Sequence, residues 1–449
     1  MIGPDGSIAV LAALESQIAA NPRDGIAWHN LGVELRKLDR MIEAKRAFEQ
    51  AVGLNLRSPE TETMRGHVLA DLGHFEDAIR AYRRAIDMRP TIIEAQIGLA
   101  GLLPQLGRQT EALASFEQAL ALVPDSGALW VAAMETAKGH GDHARLLSWA
   151  EAAIVRFGSD TMVTVFAANA LSALGRDGEA YDRLDRALDV VPDFAPGHAT
   201  MAHLLIRLGE PKLAASAAGE ATRLAPDEQS GWALLGVALR LLNDEREHWL
   251  CDYERLVMEI EIPLEPDLKT ALEARHFAKA HPADQSLRSG TQTRGNLFSS
   301  ADPKLLGLAR TIANAVGERL GHLPADPTHP FLARNTGAID FVGAWSVRLA
   351  GSGFHVSHIH PAGWLSSALY IELPETVRPG TGEGVLTFGV PDAALGLDLP
   401  PRRTVQPAVG KLALFPSYLW HGTTPFESDS HRMTLAFDAL PVDSSGLPS

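Results

Sequence analysis

The sequence predicts a multidomain α plus β chain: an N-terminal solenoid of paired helices, then a C-terminal domain built mainly of strands. Three observations predict it. A dipeptide marker recurs every 34 residues through the first part of the chain. The recurrence stops in Ile260-Glu261-Ile262-Pro263-Leu264-Glu265-Pro266, where two prolines break helix continuation. Beyond residue 340, segments rich in β-branched and aromatic residues are punctuated by Gly and Pro, which favours strands. A chain of 449 residues has room for two or three domains. They are expected at 1–260 and 261–449.

The marker reads Leu38-Asp39, Leu72-Gly73, Leu106-Gly107, His140-Gly141, Leu174-Gly175, Leu208-Gly209 and Leu242-Asn243. Pro90, Pro124, Pro192 and Pro226 repeat in phase with it, and Gly158 fills the vacant slot. Between markers, stretches such as Glu76–Ala85 place small or apolar residues at helical spacing. Gly suits a tight turn because it tolerates positive φ, and Pro stops one helix while starting the next. A half-unit is expected near Ile8–Ala20. This pattern resembles the tetratricopeptide repeat. The resemblance implies a stacked superhelix whose concave surface holds a peptide or partner protein; a spacer or dimerisation scaffold is the alternative. His67, His140, His143, His198 and His203 lack metal-ligand spacing and are read as surface or turn residues. Arg65, Arg83 and Arg84 are read as groove residues or as a solvated face.

After the break, a short helix is expected over Asp267–Ala280. The polar run Asp284–Gly295 reads as part of the catalytic unit or as a flexible linker. Lys304–Leu320 is helical, with Leu305, Leu308, Ile312, Ala315 and Leu320 on one side. Strands are expected at Trp345–Ala350, after His360, and at Gly384–Phe388, Thr404–Val409, Lys411–Phe415 and Arg432–Ala439. The connection Pro391–Arg403 reads as a lid or entrance loop. Phe415 and Trp420 read as core or wall residues.

Chemistry concentrates in Gly353-Phe354-His355-Val356-Ser357-His358-Ile359-His360-Pro361, Trp420-His421-Gly422 and Arg432-Met433-Thr434. On an extended chain residues i and i+2 share a face, so His358 and His360 point one way and His355 the other. With a third histidine from a distant strand they make a facial set of three metal ligands. Half an octahedron stays open, as non-haem Fe(II) oxygen chemistry requires. A buried Arg432 is costly unless paired, and a bidentate carboxylate is the obvious partner, from a ligand or from the protein itself.

His-x-His, a distant His, then an arginine eleven residues later resembles the Fe(II)/2-oxoglutarate-dependent oxygenases over roughly the last third of the chain. The resemblance implies a double-stranded β-helix (jelly-roll, cupin-like) with bracing helices. It implies Fe(II) on His358, His360 and His421, and 2-oxoglutarate as cosubstrate with its far carboxylate held by Arg432 and Thr434. Position 360 departs from the family, which usually has a carboxylate there. Ser366 and Tyr370 are weaker candidates at the 2-oxoglutarate end. The implied activity is a dioxygenase hydroxylating a protein or peptide recruited by the repeats. Two alternatives stand beside it: a repeat scaffold with a degenerate barrel, and a three-histidine cupin dioxygenase without 2-oxoglutarate.

Composition bounds the rest. The chain is 46% hydrophobic and 21% charged, ordinary for a soluble protein. A net charge of −15 speaks against a nucleic-acid backbone binder. No apolar run reaches bilayer-spanning length, and Met1–Gly6 shows no basic stretch ahead of an apolar one. Cys251 is the only cysteine, which fits a reducing cytoplasm.

Overall fold

The computed structural model describes residues 4–158, 161–276, 286–300 and 302–442. Helix pairs fill the first part in the expected phase. The leading helices, Gly25–Lys37, Pro59–Asp71, Ile93–Leu102, Gly127–Gly139, Thr161–Ala173, Ala195–Arg207 and Gln229–Leu241, start 34 residues apart. Their partners run from Met41–Gly53 to Pro211–Leu224, and the last is cut short at Arg246–Cys251. Pro4–Ala20 supplies the half-unit and packs Leu11 and Ile18 against Ala27 and Leu31. Phe48, Tyr82 and Phe116 recur with the period in the second helices and are wholly buried. Tyr82 sits so close to Gly66 that a Cβ there would lie 2.6 Å from its ring. Arg65 and Arg84 both pair with Glu62, and Arg83 pairs with Glu111, so these arginines are committed within the array.

The second residue of every marker takes a left-handed backbone, from φ 53° at Asn243 to 76° at Gly73, Gly175 and Gly209. That conformation reverses the chain between paired helices. Nothing lies within 4 Å of a Cβ built at Gly209, so substitution there tests the backbone alone. Gly209→Ala is expected to destabilise by about 1–2 kcal/mol, the cost of left-handed backbone for an L residue. Gly209→Asn should cost less than half as much, since asparagine bonds its own backbone there. Denaturant unfolding reads both; equal losses for the two variants would refute the account.

The strands form two antiparallel sheets, as a jelly-roll requires. They are β1 (Met258–Glu261), β2 (Leu287–Gln292), β3 (Ile339–His355), β4 (Leu365–Glu372), β5 (Leu386–Phe388), β6 (Arg403–Val405), β7 (Lys411–Pro416), β8 (His421–Thr423) and β9 (Arg432–Pro441). The large sheet has the order β1-β7-β4-β9-β3-β2 and the small one β6-β5-β8. Helix Pro303–Leu320 buries Leu305, Ile312, Val316 and Leu320.

Two segments differ from expectation. The expected boundary at 260/261 falls inside β1, where Ile260 pairs with Leu412 in the large sheet. The polar run, read as part of the catalytic unit or as a flexible linker, contains β2, a strand the sequence does not announce, and pairs with β3 in the large sheet: Leu287 and Thr291 are buried, and Arg288 pairs with Phe354 across a register shift at Ser289. The bulge hides the alternation that would have marked a strand. The helix after the break is Leu268–Glu273, and residues 277–280, expected to continue it, lie outside the described residues, as do Asp284 and Gln285.

Contacts divide the chain into two compact units. One is built on Met1–His140 and includes Leu297–Leu306; the other holds Gly141–His276 and the remaining described residues from 286 onward.

Candidate metal centre

The strand β3 ends at His355, the chain bends at Ser357, and His358 then forms an antiparallel bridge with His421 at the start of β8. The two backbones exchange both bonds, His358 N–H to His421 O at 2.9 Å and His421 N–H to His358 O at 3.0 Å. The approach is tight enough that a Cβ on Gly422 would lie 2.9 Å from the His355 carbonyl, which explains the glycine after His421. His360 follows two residues on, its N–H bonded to the Ser417 carbonyl at 3.0 Å.

The bridge brings one nitrogen from each of His358, His360 and His421 within 4.8 Å of the others. In each ring the other nitrogen is committed. His358 Nδ1–H donates to the Val356 carbonyl and His421 Nδ1–H to the Leu419 carbonyl, both at 2.9 Å. His360 Nδ1 contacts the Asp438 carboxylate at 2.6 and 2.8 Å. Carbonyls and carboxylates only accept, so each Nδ1 carries the proton and each Nε2 presents a lone pair. The His358 and His360 Nε2 atoms stand 3.2 Å apart. Two lone pairs at that distance are relieved by a shared proton or by a bound cation. Cis nitrogens ~2.1 Å from one divalent ion are themselves ~3 Å apart, so the donor set fits a bound metal. Burial pushes His358 down to about 3, with His360 adding to the shift, and holds His421 well below the usual imidazole range. Both are neutral near pH 7, the state a ligand needs.

His355 does not face away. Its ring stacks 5.9 Å from that of His358, and Ser286 Oγ lies 3.1 Å from His355 Nδ1 and 3.2 Å from His358 Nε2. Strict alternation requires an unbroken strand, and the bend at Ser357 breaks this one. His355 stays outside the three-nitrogen cluster all the same.

Arg432, the first residue of β9, is 2% exposed. Its Nη1 donates to the Gly384 carbonyl at 3.0 Å, its guanidinium lies 5.2 Å from the Tyr370 ring centroid, and its Nε is buried without a partner. No carboxylate among the described residues is paired with it. The Tyr370 hydroxyl is likewise buried, and its nearest charged neighbour is the Arg432 guanidinium. Burial lowers the arginine's affinity for its proton, and Tyr370 opposes that. Thr434 lies two residues on, buried on the same face of β9. Arg432 is near enough to His355 to depress its protonation, although burial is the main cause. The molecule thus sets three imidazole lone pairs near a buried cation lacking an anion.

Residues 343–438, which contain all these groups except Ser286, match the family described as "Putative 2OG-Fe(II) oxygenase". Residues 26–57 and 63–127 match tetratricopeptide repeat families. The chain joins tetratricopeptide repeats to a segment similar to the 2OG-Fe(II) oxygenases. Among solved structures, a tetratricopeptide repeat protein from Parabacteroides merdae ATCC 43184 is 17% identical with a TM-score of 0.36, over 52% of this chain and 93% of that one. The APC/C hetero-tetramer Cut9-Hcn1 matches at 19% and 0.33, over 52% of this chain and 46% of that one. MamA matches at 16% and 0.27, over 38% and 89%. No curated protein matches the chain.

The oxygenase-like segment also uses residues that sequence reasoning did not single out. Asp438, the last residue matched, carries His360. Ser366, expected near the 2-oxoglutarate end, instead donates to Asp438 at 2.7 Å and contacts Ser417 Oγ at 2.8 Å. Helices of the last repeats grip the ligand-bearing loops within the same compact unit. Gln229 N–H donates to the carbonyl of Pro361, beside His360, at 3.0 Å. The Trp420 indole, beside His421, donates to the Ala233 carbonyl at 3.2 Å. Arg240 donates to the Gly389 and Pro400 carbonyls at 2.6 and 2.7 Å, and Arg207 to the Ala394 carbonyl. The connection Pro391–Arg403, read as a lid or entrance loop, is held by these two arginines at Pro400 and Ala394. Phe415 is core, its ring centroid 4.5 Å from that of His421.

Proposed function

We propose that the chain is an Fe(II)/2-oxoglutarate-dependent dioxygenase that hydroxylates a protein or peptide held by its repeats, in the reducing cytoplasm. The observation that carries the reading is Arg432: a buried guanidinium with no carboxylate partner among the described residues, on the strand beside three inward imidazole lone pairs. A buried cation needs an anion, and a dicarboxylic oxoacid spans from a metal to such a cation. Iron held there supplies oxygen activation coupled to conversion of 2-oxoglutarate to succinate. His358, His360 and His421 would hold the metal, each through Nε2. Arg432 and Thr434 hold the far carboxylate and so orient the oxoacid. Tyr370 flanks the guanidinium, its ring centroid 5.2 Å away. Three intact donors with fixed tautomers speak against a degenerate barrel, and the unpaired Arg432 speaks against a dioxygenase that needs no oxoacid. The repeats support a polypeptide substrate, since such arrays commonly hold peptides.

Anaerobic Fe(II) titration, with and without 2-oxoglutarate, tests the reading. The parent is expected to bind one Fe(II), to bind 2-oxoglutarate only when loaded, and to yield succinate slowly in air. His360→Ala and His421→Ala should each lower Fe(II) affinity by about a hundredfold or more, above the loss typical of an outer-shell partner. His360→Asp should retain metal. A His360→Ala variant that binds iron as well as the parent would refute three-histidine ligation.

A further inference from the structure

We infer that Asp438 is a positioning residue that returns to the centre the negative charge missing from its third ligand. The inference rests on the reading of the site as an iron centre. Two histidines and a carboxylate leave Fe(II) with one net positive charge; three neutral histidines leave it with two. Here the third ligand, His360, presents Nδ1 to both carboxylate oxygens of Asp438, at 2.6 and 2.8 Å. That contact fixes the ring's tautomer and shifts electron density toward Nε2, making it a stronger and more anionic donor. His358 and His421 receive neutral carbonyls at the same position, so the charge is specific to His360.

The carboxylate is itself built in. Ser366 donates to its Oδ1 at 2.7 Å, and Ser417 Oγ lies 2.8 Å from Ser366 Oγ. Ser417 also offers its carbonyl to the His360 N–H at 3.0 Å, so one residue ties the backbone of the ligand to the network holding its anion. Gly363 leaves room for this, because a Cβ there would stand 2.6 Å from Ser417 Oγ and 3.5 Å from the Asp438 carboxyl carbon. Trp345 stacks 5.9 Å from the His360 ring and helps hold its plane. Register places Asp438 opposite Ser366 of β4 and Gly343 of β3. Arg432 and Asp438 lie six residues apart on β9 and so share its face by alternation. One strand thus carries the cation for the oxoacid at one end and the anion for the metal at the other.

Asp438→Asn tests the charge separately from the geometry, because the amide oxygen still accepts from Nδ1–H. In the full chain, anaerobic titration with Fe(II) alone should show affinity lowered by about ten- to a hundredfold. The Fe(III)/Fe(II) midpoint potential of the loaded protein should rise, since the reduced ion tolerates loss of an anion better. A purely structural role would lower affinity without moving the potential, and that result would overturn the inference. Parent-like affinity and potential would overturn it too. If Asp438→Asn does not fold, Ser366→Ala carries the test with the opposite sign: it strips a donor from a carboxylate that keeps its charge, so the carboxylate pulls harder on the His360 proton and the midpoint potential should fall; an unmoved potential would overturn the inference. A parent that takes up no Fe(II) removes the iron reading and this inference together; a parent that binds Fe(II) beside an unaltered Asp438→Asn removes this inference alone.

Discussion

Arg432→Ala is expected to weaken 2-oxoglutarate binding by ten- to a hundredfold while Fe(II) affinity changes little. The guanidinium is 2% exposed, it donates to the Gly384 carbonyl, and no carboxylate among the described residues is paired with it. A buried hydrogen bond to a charged group contributes about 1.5–3 kcal/mol, and each 1.4 kcal/mol is about a factor of ten in affinity. Arg432→Lys keeps the charge but not the planar fork, so it should recover only part of the loss. The stability of the unliganded protein gives an independent sign. Arg432→Met removes an unpaired buried charge at similar volume, and such replacements are often neutral or stabilising. The expected pattern is therefore a variant that folds at least as well and binds the oxoacid poorly. Isothermal titration of the Fe(II)-loaded proteins under nitrogen measures the first, and denaturant unfolding the second. Unchanged 2-oxoglutarate affinity in Arg432→Ala would exclude the role assigned to this side chain.

The parts legible in the sequence are those fixed by local geometry. The repeat is one: a left-handed residue every 34 positions and an aromatic in phase with it need no tertiary information. That His358 lies beside His360, and Arg432 on one face with Thr434, was legible because a two-residue spacing fixes a common face. What escaped depends on contacts between distant segments or on breaks in regular structure. Asp438 lies 78 residues from His360, and no local pattern marks an aspartate at the end of a strand as a histidine's partner. His355 was misdirected because alternation was carried through the bend at Ser357. The strand β2 was masked by its bulge and by Arg288, Ser289 and Gly290, which read as a loop. The strand β1 looked like the end of the helical array because only four of its residues pair, and its two prolines follow directly.

That last misreading has a consequence for any attempt to isolate the barrel. A fragment of residues 261–449 is expected to be insoluble or unfolded and to bind no Fe(II), whereas the full chain is expected to bind it. Starting at 261 discards most of β1, which covers one edge of the large sheet by pairing with β7, and leaves that edge open. It also removes Leu256, Val257 and Met258, at most 2% exposed in the whole chain. At about 1.5–3 kcal/mol per buried side chain, those three alone account for roughly 5–9 kcal/mol. A domain's entire stability is about 5–15 kcal/mol, so the deficit decides the outcome. The loops bearing the ligands lose their anchors as well. Tyr418 loses the Leu250 carbonyl to which its hydroxyl donates at 2.7 Å, and Trp420 loses Ala233. Pro361 loses Gln229, and Gly389 and Pro400 lose Arg240. Trp420 and Pro361 adjoin two of the three clustered histidines, so a fragment that did collapse would still hold them loosely. The milder full-chain variant Arg240→Ala keeps β1 and isolates the anchoring: it should stay folded and lose several-fold in Fe(II) affinity, each missing bond being worth about 1 kcal/mol. Circular dichroism, sedimentation and Fe(II) titration of the three proteins give the answer. A soluble, cooperatively unfolding 261–449 with parental iron affinity would show that the last repeats merely adjoin the site.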